Sequence, residues 1–229
     1  MTKRQTKAII LFARDPVAGE VKTRLAPFLN QDLILELYTR FLSDSVEKIC
    51  KVTTADPFIG VYPADSSGYF SRVSKSLEHP PEVFLQEGED LGEKMFNAFQ
   101  ARFDEGYEHV AIIGSDSPSL PVAYIEQALN SEKDIVIGPS TDGGYYLIGM
   151  YRKPVNVFAD GMDWGSEKVL RQTLDRVKKY GSSLELLPPW YDVDRAEDLK
   201  FLKTHLEMIT QTGLSDTGAT GEFLKSLDI

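Results

Sequence analysis

The sequence predicts a three-layer α/β/α sandwich around a mostly parallel sheet. Three observations carry this reading. Short apolar runs alternate with helical stretches from one end of the chain to the other, which is the pattern of a doubly wound sheet. Several of the runs, KAIILFA at 7–13, AIIG at 111–114 and DIVIG at 134–138, are continuously apolar, as central strands covered on both faces require. A chain of 229 residues, 42% of them hydrophobic, is long enough for one sizeable core, so a single domain is expected over residues 1–209.

The first strand ends in a loop, RDPVAGEVKTRLAP, broken by Pro16, Gly19 and Pro27 and carrying three cations, Arg14, Lys22 and Arg24. Lysine and arginine just after a buried strand converge on the crevice at the strand's carboxyl end, where they can hold phosphate oxygens by charge-assisted hydrogen bonds. Over 31–49, Leu33, Ile34, Leu37, Tyr38, Phe41, Leu42 and Val46 recur at steps of three and four, an amphipathic helix. A second strand follows at 56–63, then a polar, serine-rich segment at 65–76 and a short third strand at 81–86. The loop QEGEDLG leads into a helix at 93–103 with Met95, Phe96 and Phe99 inward.

The run at 111–114 leads through Gly114 to Asp116, at the end of the sheet where open α/β folds receive their ligands. A helix is expected at 122–130 and a fifth strand at 134–140, rich in β-branched residues. Asp142, Gly143 and Gly144 make a sharp reversal that admits a close approach of ligand to backbone, and YYLIGM returns along the site as a strand. After a loop at 151–163, Ser166 is the expected N-cap of a helix reaching 179, with Trp164 just ahead of it as a hydrophobic staple or a ring that stacks on substrate. A strand over 183–194 ends in Asp192 and Asp194, and a helix covers 196–209. The segment 210–229, mixing Gly, Thr, Ser and Asp, is expected to be a loosely held tail.

Net charge −10 argues against a nucleic-acid backbone or an anionic membrane as partner. No run of about twenty apolar residues could span a bilayer, and the apolar start is too short for a signal-peptide core. The lone Cys50 suits a reducing cytoplasm. The fingerprint G-x-G-x-x-G is absent after the first strand, and no Ser/His/Asp or Cys/His set is visible around His79, His109 or His205. What remains is a cationic loop, Asp116, and the pair Asp192 and Asp194. Separated carboxylates in oxygen-rich surroundings suit Mg²⁺ or Mn²⁺, which keep waters and phosphate oxygens as further ligands. The cations would then neutralise the other face of a nucleotide's phosphates.

The ordered set FARDPVAGEVKTRLAP, DLGEKM, GSDSPSL, GPSTDGGYYLIGM, DWGSEKVL and DVDRAEDL, covering roughly residues 7–202, resembles a bacterial glycosyltransferase-like family of the nucleotide-diphospho-sugar transferase superfamily. That superfamily also includes sugar-phosphate nucleotidyltransferases and phospholactate guanylyltransferase. The resemblance implies a GT-A type of fold. It implies that Arg24 contacts phosphates, that Gln86 and the Leu91–Gly92 turn read the base, and that Asp116 and Asp194 hold the metal; Lys22 is expected on the phosphates beside Arg24, and Phe12, Ala13 and Arg14, with Asp116, are expected to line the nucleotide's place. Asp142 and Gly143 would line the acceptor side; Gly144 and Trp164 are expected to join them there, and a transfer that inverts would need a general base near the acceptor, for which Asp142 is the candidate. Where the nucleotidyltransferase loop reads G-x-G-T-R, Gly19 here stands alone, so Lys22 takes over part of the backbone's role toward phosphate. The activity implied is metal-dependent transfer from a nucleotide-diphospho-sugar to a small-molecule acceptor. The alternatives are nucleotidyl transfer from a nucleoside triphosphate to a phosphorylated acceptor and, in another class, nucleotide binding without turnover.

Overall fold

The computed structural model describes residues 5–77, 79–159, 161–212 and 218–227. Seven strands form one sheet: β1 (Lys7–Arg14), β2 (Asp56–Tyr62), β3 (Glu82–Leu85), β4 (His109–Gly114), β5 (Ile135–Pro139), β6 (Tyr145–Tyr151) and β7 (Leu184–Leu186), in the order β3-β2-β1-β4-β6-β5-β7. All pairings are parallel except those of β6, which runs antiparallel between β4 and β5. The reversal at 140–144 thus returns the chain along the strand it has just left. Ser140 donates its N–H to the Gly144 carbonyl at 3.0 Å, and the Asp142 carboxylate accepts from the Gly144 N–H at 2.8 Å.

The continuous apolar runs are buried on both sides. Ile9 and Leu11 of β1 face a core that contains Leu42, Val46 and Ile49 of α1 (Gln31–Lys51) and Ile125 and Leu129 of α4 (Val122–Asn130). Ala8, Ile10 and Phe12 face the opposite core, with Met95 and Phe99 of α3 (Leu91–Asp104) and Val177 of α5 (Val169–Lys179). These are the helix, sheet and helix layers predicted from the sequence.

Four details differ from the sequence reading. The serine-rich segment contains a helix, α2 (Tyr69–Lys75), whose first turn is held by Asp65 accepting from Phe70 N, Ser71 N and Ser71 Oγ. Ser166 does not cap α5, which begins at Val169; its hydroxyl donates to Asp163 O within a turn. The strand expected over 183–194 is regular only at Leu184–Leu186, because Pro188 and Pro189 have no N–H to give the ladder. Finally, α6 (Ala196–Thr212) runs past residue 209, and within the segment expected to be a loose tail Gly218–Lys225 forms a helix, α7. Phe223 and Leu224 are buried with Leu37 and Phe41 of α1 and Leu202 of α6, and Asp44 of α1 accepts the backbone N–H groups of Ala219 and Thr220 at 2.7 and 2.9 Å. Residues 213–217 and 228–229 of that segment lie outside the described residues. No described helix is long and apolar enough to cross a membrane.

Candidate functional site

The carboxyl ends of the parallel strands open on one edge of the sheet into a cleft of about 640 Å³. Phe12, Ala13, Arg14, Lys22, Arg24, Gln86, Leu91, Asp116, Asp142, Gly144, Trp164, Asp192 and Asp194 line it. This is most of the set singled out from the sequence.

Its floor is tied together by Tyr38 of α1. The phenolic oxygen accepts the Arg14 N–H at 3.0 Å and lies 3.2 Å from Ser115 Oγ, so one side chain joins the ends of β1 and β4. Burial, together with the negative charge of Asp116, raises its pKa to about 12. Tyr38 therefore stays a neutral hydrogen-bonding strut.

Asp194 reaches Asp116 by a backbone route. After β7 the chain follows the end of β5, with Trp190 N–H donating to Pro139 O at 3.0 Å and Thr141 N–H to Trp190 O at 3.1 Å. It then crosses to β4, where Val193 N–H donates to Asp116 O at 2.9 Å and Ser117 Oγ to Tyr191 O at 2.9 Å. The two carboxylates end on either side of one ammonium. Lys22 Nζ lies 2.7 Å from Asp116 Oδ1 and 2.8 Å from Asp194 Oδ1, and donates to Val193 O at 2.7 Å. Arg24 adds a contact to Asp194 Oδ2 at 3.1 Å.

The Lys22 side chain is 4% exposed, against 45% for Asp116, 31% for Asp194 and 59% for Arg24. Burial works against the Lys22 charge, but Asp116 and Asp194 outweigh it and raise its pKa. Burial likewise opposes the Asp194 charge, yet Lys22 and then Arg24 hold that carboxyl below the usual range. Lys22 was expected to face phosphate; it is instead turned down onto the acids, and Arg14 and Arg24 are the cations left exposed at the cleft.

Asp192 makes a different contact in the same cleft. It accepts a hydrogen bond from Ser140 Oγ. Burial pushes its pKa up, as do the nearby charges of Asp142 and Asp194, against the effect of the Ser140 bond. Asp194, not Asp192, is therefore the acid that shares a cation with Asp116.

At the other end of the cleft Gln86 is pinned by its own amide, which donates to Gly60 O at 2.8 Å and to Ala13 O at 3.4 Å. Beside it, Tyr62 carries Lys94 Nζ 3.9 Å and the Arg14 guanidinium 5.6 Å from its ring centre. Neither Tyr62 nor Lys94 was singled out from the sequence. Tyr62 is the last residue of a parallel strand, and that position was the available signal. Gly92 and Gly143 support the cleft from behind. A Cβ on Gly92 would meet the Trp164 ring at 2.6 Å, and one on Gly143 (φ 92°) would meet the Glu167 backbone at 2.5 Å. Trp164 packs on Phe158 and donates Nε1–H to Asp90 at 3.3 Å while lining the cleft.

Among the described residues no group of three or more His, Cys, Asp or Glu is placed to hold a metal. A divalent ion of the Mg²⁺ type needs no such cage, since one or two carboxylates suffice when phosphates and waters complete its shell. Asp116 and Asp194 fit that sparse donor set, with Lys22 Nζ standing between them.

Residues 45–166 match the family described as uncharacterized proteins conserved in bacteria (DUF2064). Among curated proteins, none shows significant similarity to the chain. A crystal structure from Desulfovibrio desulfuricans, provisionally named a nucleotide-diphospho-sugar transferase, is similar at 33% identity and TM-score 0.85, covering 96% of this chain and 94% of that one. Two further structures share the fold at low identity. The inositol-1-phosphate CTP transferase of T. maritima has 15% identity, TM-score 0.52, and coverage of 86% and 93%. The 4-diphosphocytidyl-2C-methyl-D-erythritol synthase of Anaerococcus prevotii has 10% identity, TM-score 0.57, and coverage of 88% and 97%. With over half of its length matched by the family and nearly all of it by a relative at 33% identity, the chain belongs to the DUF2064 family and carries the nucleotide-diphospho-sugar transferase fold.

Proposed function

We propose that the chain is a transferase acting on a nucleotide-activated substrate, and that glycosyl transfer from a nucleotide-diphospho-sugar to a small-molecule acceptor is the reading the cleft supports best. The observation that carries it is the meeting of Asp116 and Asp194 at one cation, within a cleft that has an aromatic and cationic end at Tyr62 and a carboxylate end at Asp142 and Asp192.

In this reading Phe12, Ala13, Tyr62, Gln86 and Leu91 receive the nucleoside. Arg24, whose guanidinium is mostly exposed, and Arg14 face the diphosphate. Asp116 and Asp194 would hold Mg²⁺ or Mn²⁺, which supplies positive charge against the leaving diphosphate when bound. Asp142 takes the proton of the acceptor hydroxyl, on the side lined by Ser140, Gly144 and Trp164. The lone Cys50 is in keeping with a reducing cytoplasm as the site of action.

One observation favours a second reading, nucleotidyl transfer. Arg14 at the end of β1 and Arg24 in the loop after it both line the cleft, with Lys22 between the acids below them, and a cationic side of this kind suits the longer phosphate chain of a nucleoside triphosphate. Purified protein is to be incubated with nucleotide sugars and, separately, with nucleoside triphosphates plus sugar phosphates, with Mg²⁺ present. Nucleoside diphosphate release supports the first reading and inorganic diphosphate the second. Release of neither above the level of an Asp116→Asn control rejects both and leaves nucleotide binding without turnover.

A further inference from the structure

Lys22 is a buried lysine surrounded by acceptors. Its ammonium donates to Asp194 Oδ1 at 2.8 Å and to Val193 O at 2.7 Å, and is ion-paired with Asp116 Oδ1 at 2.7 Å. With its side chain 4% exposed, this ammonium is held by the acids and not presented to a phosphate oxygen. The backbone enforces the placement. Lys22 sits in the left-handed region (φ 47°, ψ 39°) at the entry to the 3-10 turn Thr23–Leu25, with Val21 and Leu25 buried on either side. A non-glycine residue there is uncommon, and the flanking apolar anchors hold the loop while the side chain points inward.

We infer that Lys22 is the resident counter-cation of the Asp116–Asp194 pair, and that a divalent ion enters the pair only in exchange for this ammonium, which swings out to an incoming diphosphate. The inference rests on the ion-binding reading proposed above and adds a coupling to it. A divalent ion seated between the two carboxylates meets a like charge in Lys22 Nζ at contact range, so the two do not share the place. Removal of the ammonium alone leaves two partly buried carboxylates with no cation between them, which is costly. Each half of the exchange is unfavourable without the other. Ion and phosphate therefore bind together, and either ligand strengthens the other by the same factor. Arg24, with its exposed guanidinium, makes the first contact with phosphate, and Lys22 follows once the ion has replaced it.

The test uses Mn²⁺ alone, followed by the electron paramagnetic resonance signal of the free ion, on wild type and Lys22→Met. Removing an internal competitor raises apparent affinity by the inverse of the fraction of time the site is open. Lys22→Met should accordingly bind Mn²⁺ at least about tenfold tighter than wild type, and the ion should raise its melting temperature more. Wild type supplies a second measurement that does not depend on the variant folding. Reductive methylation of Lys22, read by mass spectrometry, should be slow in the free protein and should accelerate when Mn²⁺ and inorganic diphosphate are added together. If wild type binds Mn²⁺ with diphosphate yet Lys22→Met gains no affinity for the ion alone, or Lys22 labelling does not change, the exchange is overturned and the ion site stands. If Mn²⁺ binds neither protein, with or without diphosphate, the ion reading fails and the exchange with it.

Discussion

The Val193 N–H donates to the carbonyl of Asp116 at 2.9 Å. This single backbone bond sets the next residue, Asp194, beside the carboxylate of Asp116, and so builds the acid pair from two segments far apart in the chain. Side-chain bonds reinforce it: Ser119 Oγ donates to Tyr191 Oη at 2.8 Å, and the Lys22 ammonium bridges the acids themselves.

Asp194→Asn removes one of the two carboxylates facing the Lys22 ammonium. In the incubation that distinguishes the two readings, release of the product should fall on the order of a hundredfold, as it should in Asp116→Asn. Arg24→Ala should lose less, about tenfold, because Arg14 still faces the phosphates. Circular dichroism should show all three folded. Full turnover in Asp194→Asn would remove it from the site.

Asp15, 2% exposed, accepts the Ser67 N–H at 2.9 Å and the hydroxyls of Ser66 and Ser67, anchoring the segment after β2 to the end of β1. Burial raises its pKa, but these donors lower it more, and the net value lies below the usual 3.8. A depressed carboxylate stabilises the fold at pH above its unfolded value, and that contribution is lost as pH falls through the folded value. Asp15→Ala should cost about 2–4 kcal/mol at neutral pH. In urea melts the gap to wild type should narrow below about pH 4; a gap independent of pH would contradict this account.

Gly92→Ala would gain helix propensity of about 1 kcal/mol, yet its Cβ would meet the Trp164 ring at 2.6 Å and Phe158 Cβ at 2.8 Å. Overpacking should win, with a net loss of about 1–3 kcal/mol and a shift in tryptophan emission as Trp164 is pushed from Phe158. An unchanged melting temperature would show that the ring yields freely.

Leu224 of α7 is 1% exposed in the core shared with α1 and α6. Leu224→Ala should destabilise by about 2–4 kcal/mol, and a chain ending at Thr212 should melt earlier still. A truncated chain as stable as the whole would mean that α7 adds nothing to the fold.

The layers and most strands were legible in the amino-acid order, because burial on both faces forces an unbroken apolar run such as KAIILFA, and a helix on a core forces the period of Leu33, Leu37 and Phe41. The cleft was legible too, since each polar residue just past a parallel strand falls on the same edge of the sheet. The helix at Gly218–Lys225 was not. Its composition is that of a loop, and what orders it is distant: the Asp44 carboxylate at its first turn and the α1 and α6 side chains around Phe223 and Leu224. Direction of side chains was equally hidden. Nothing in K-T-R says which cation turns inward. Tertiary structure decides it, because the left-handed backbone at Lys22 and the buried Val21 and Leu25 aim one ammonium at the acids and leave Arg24 facing water.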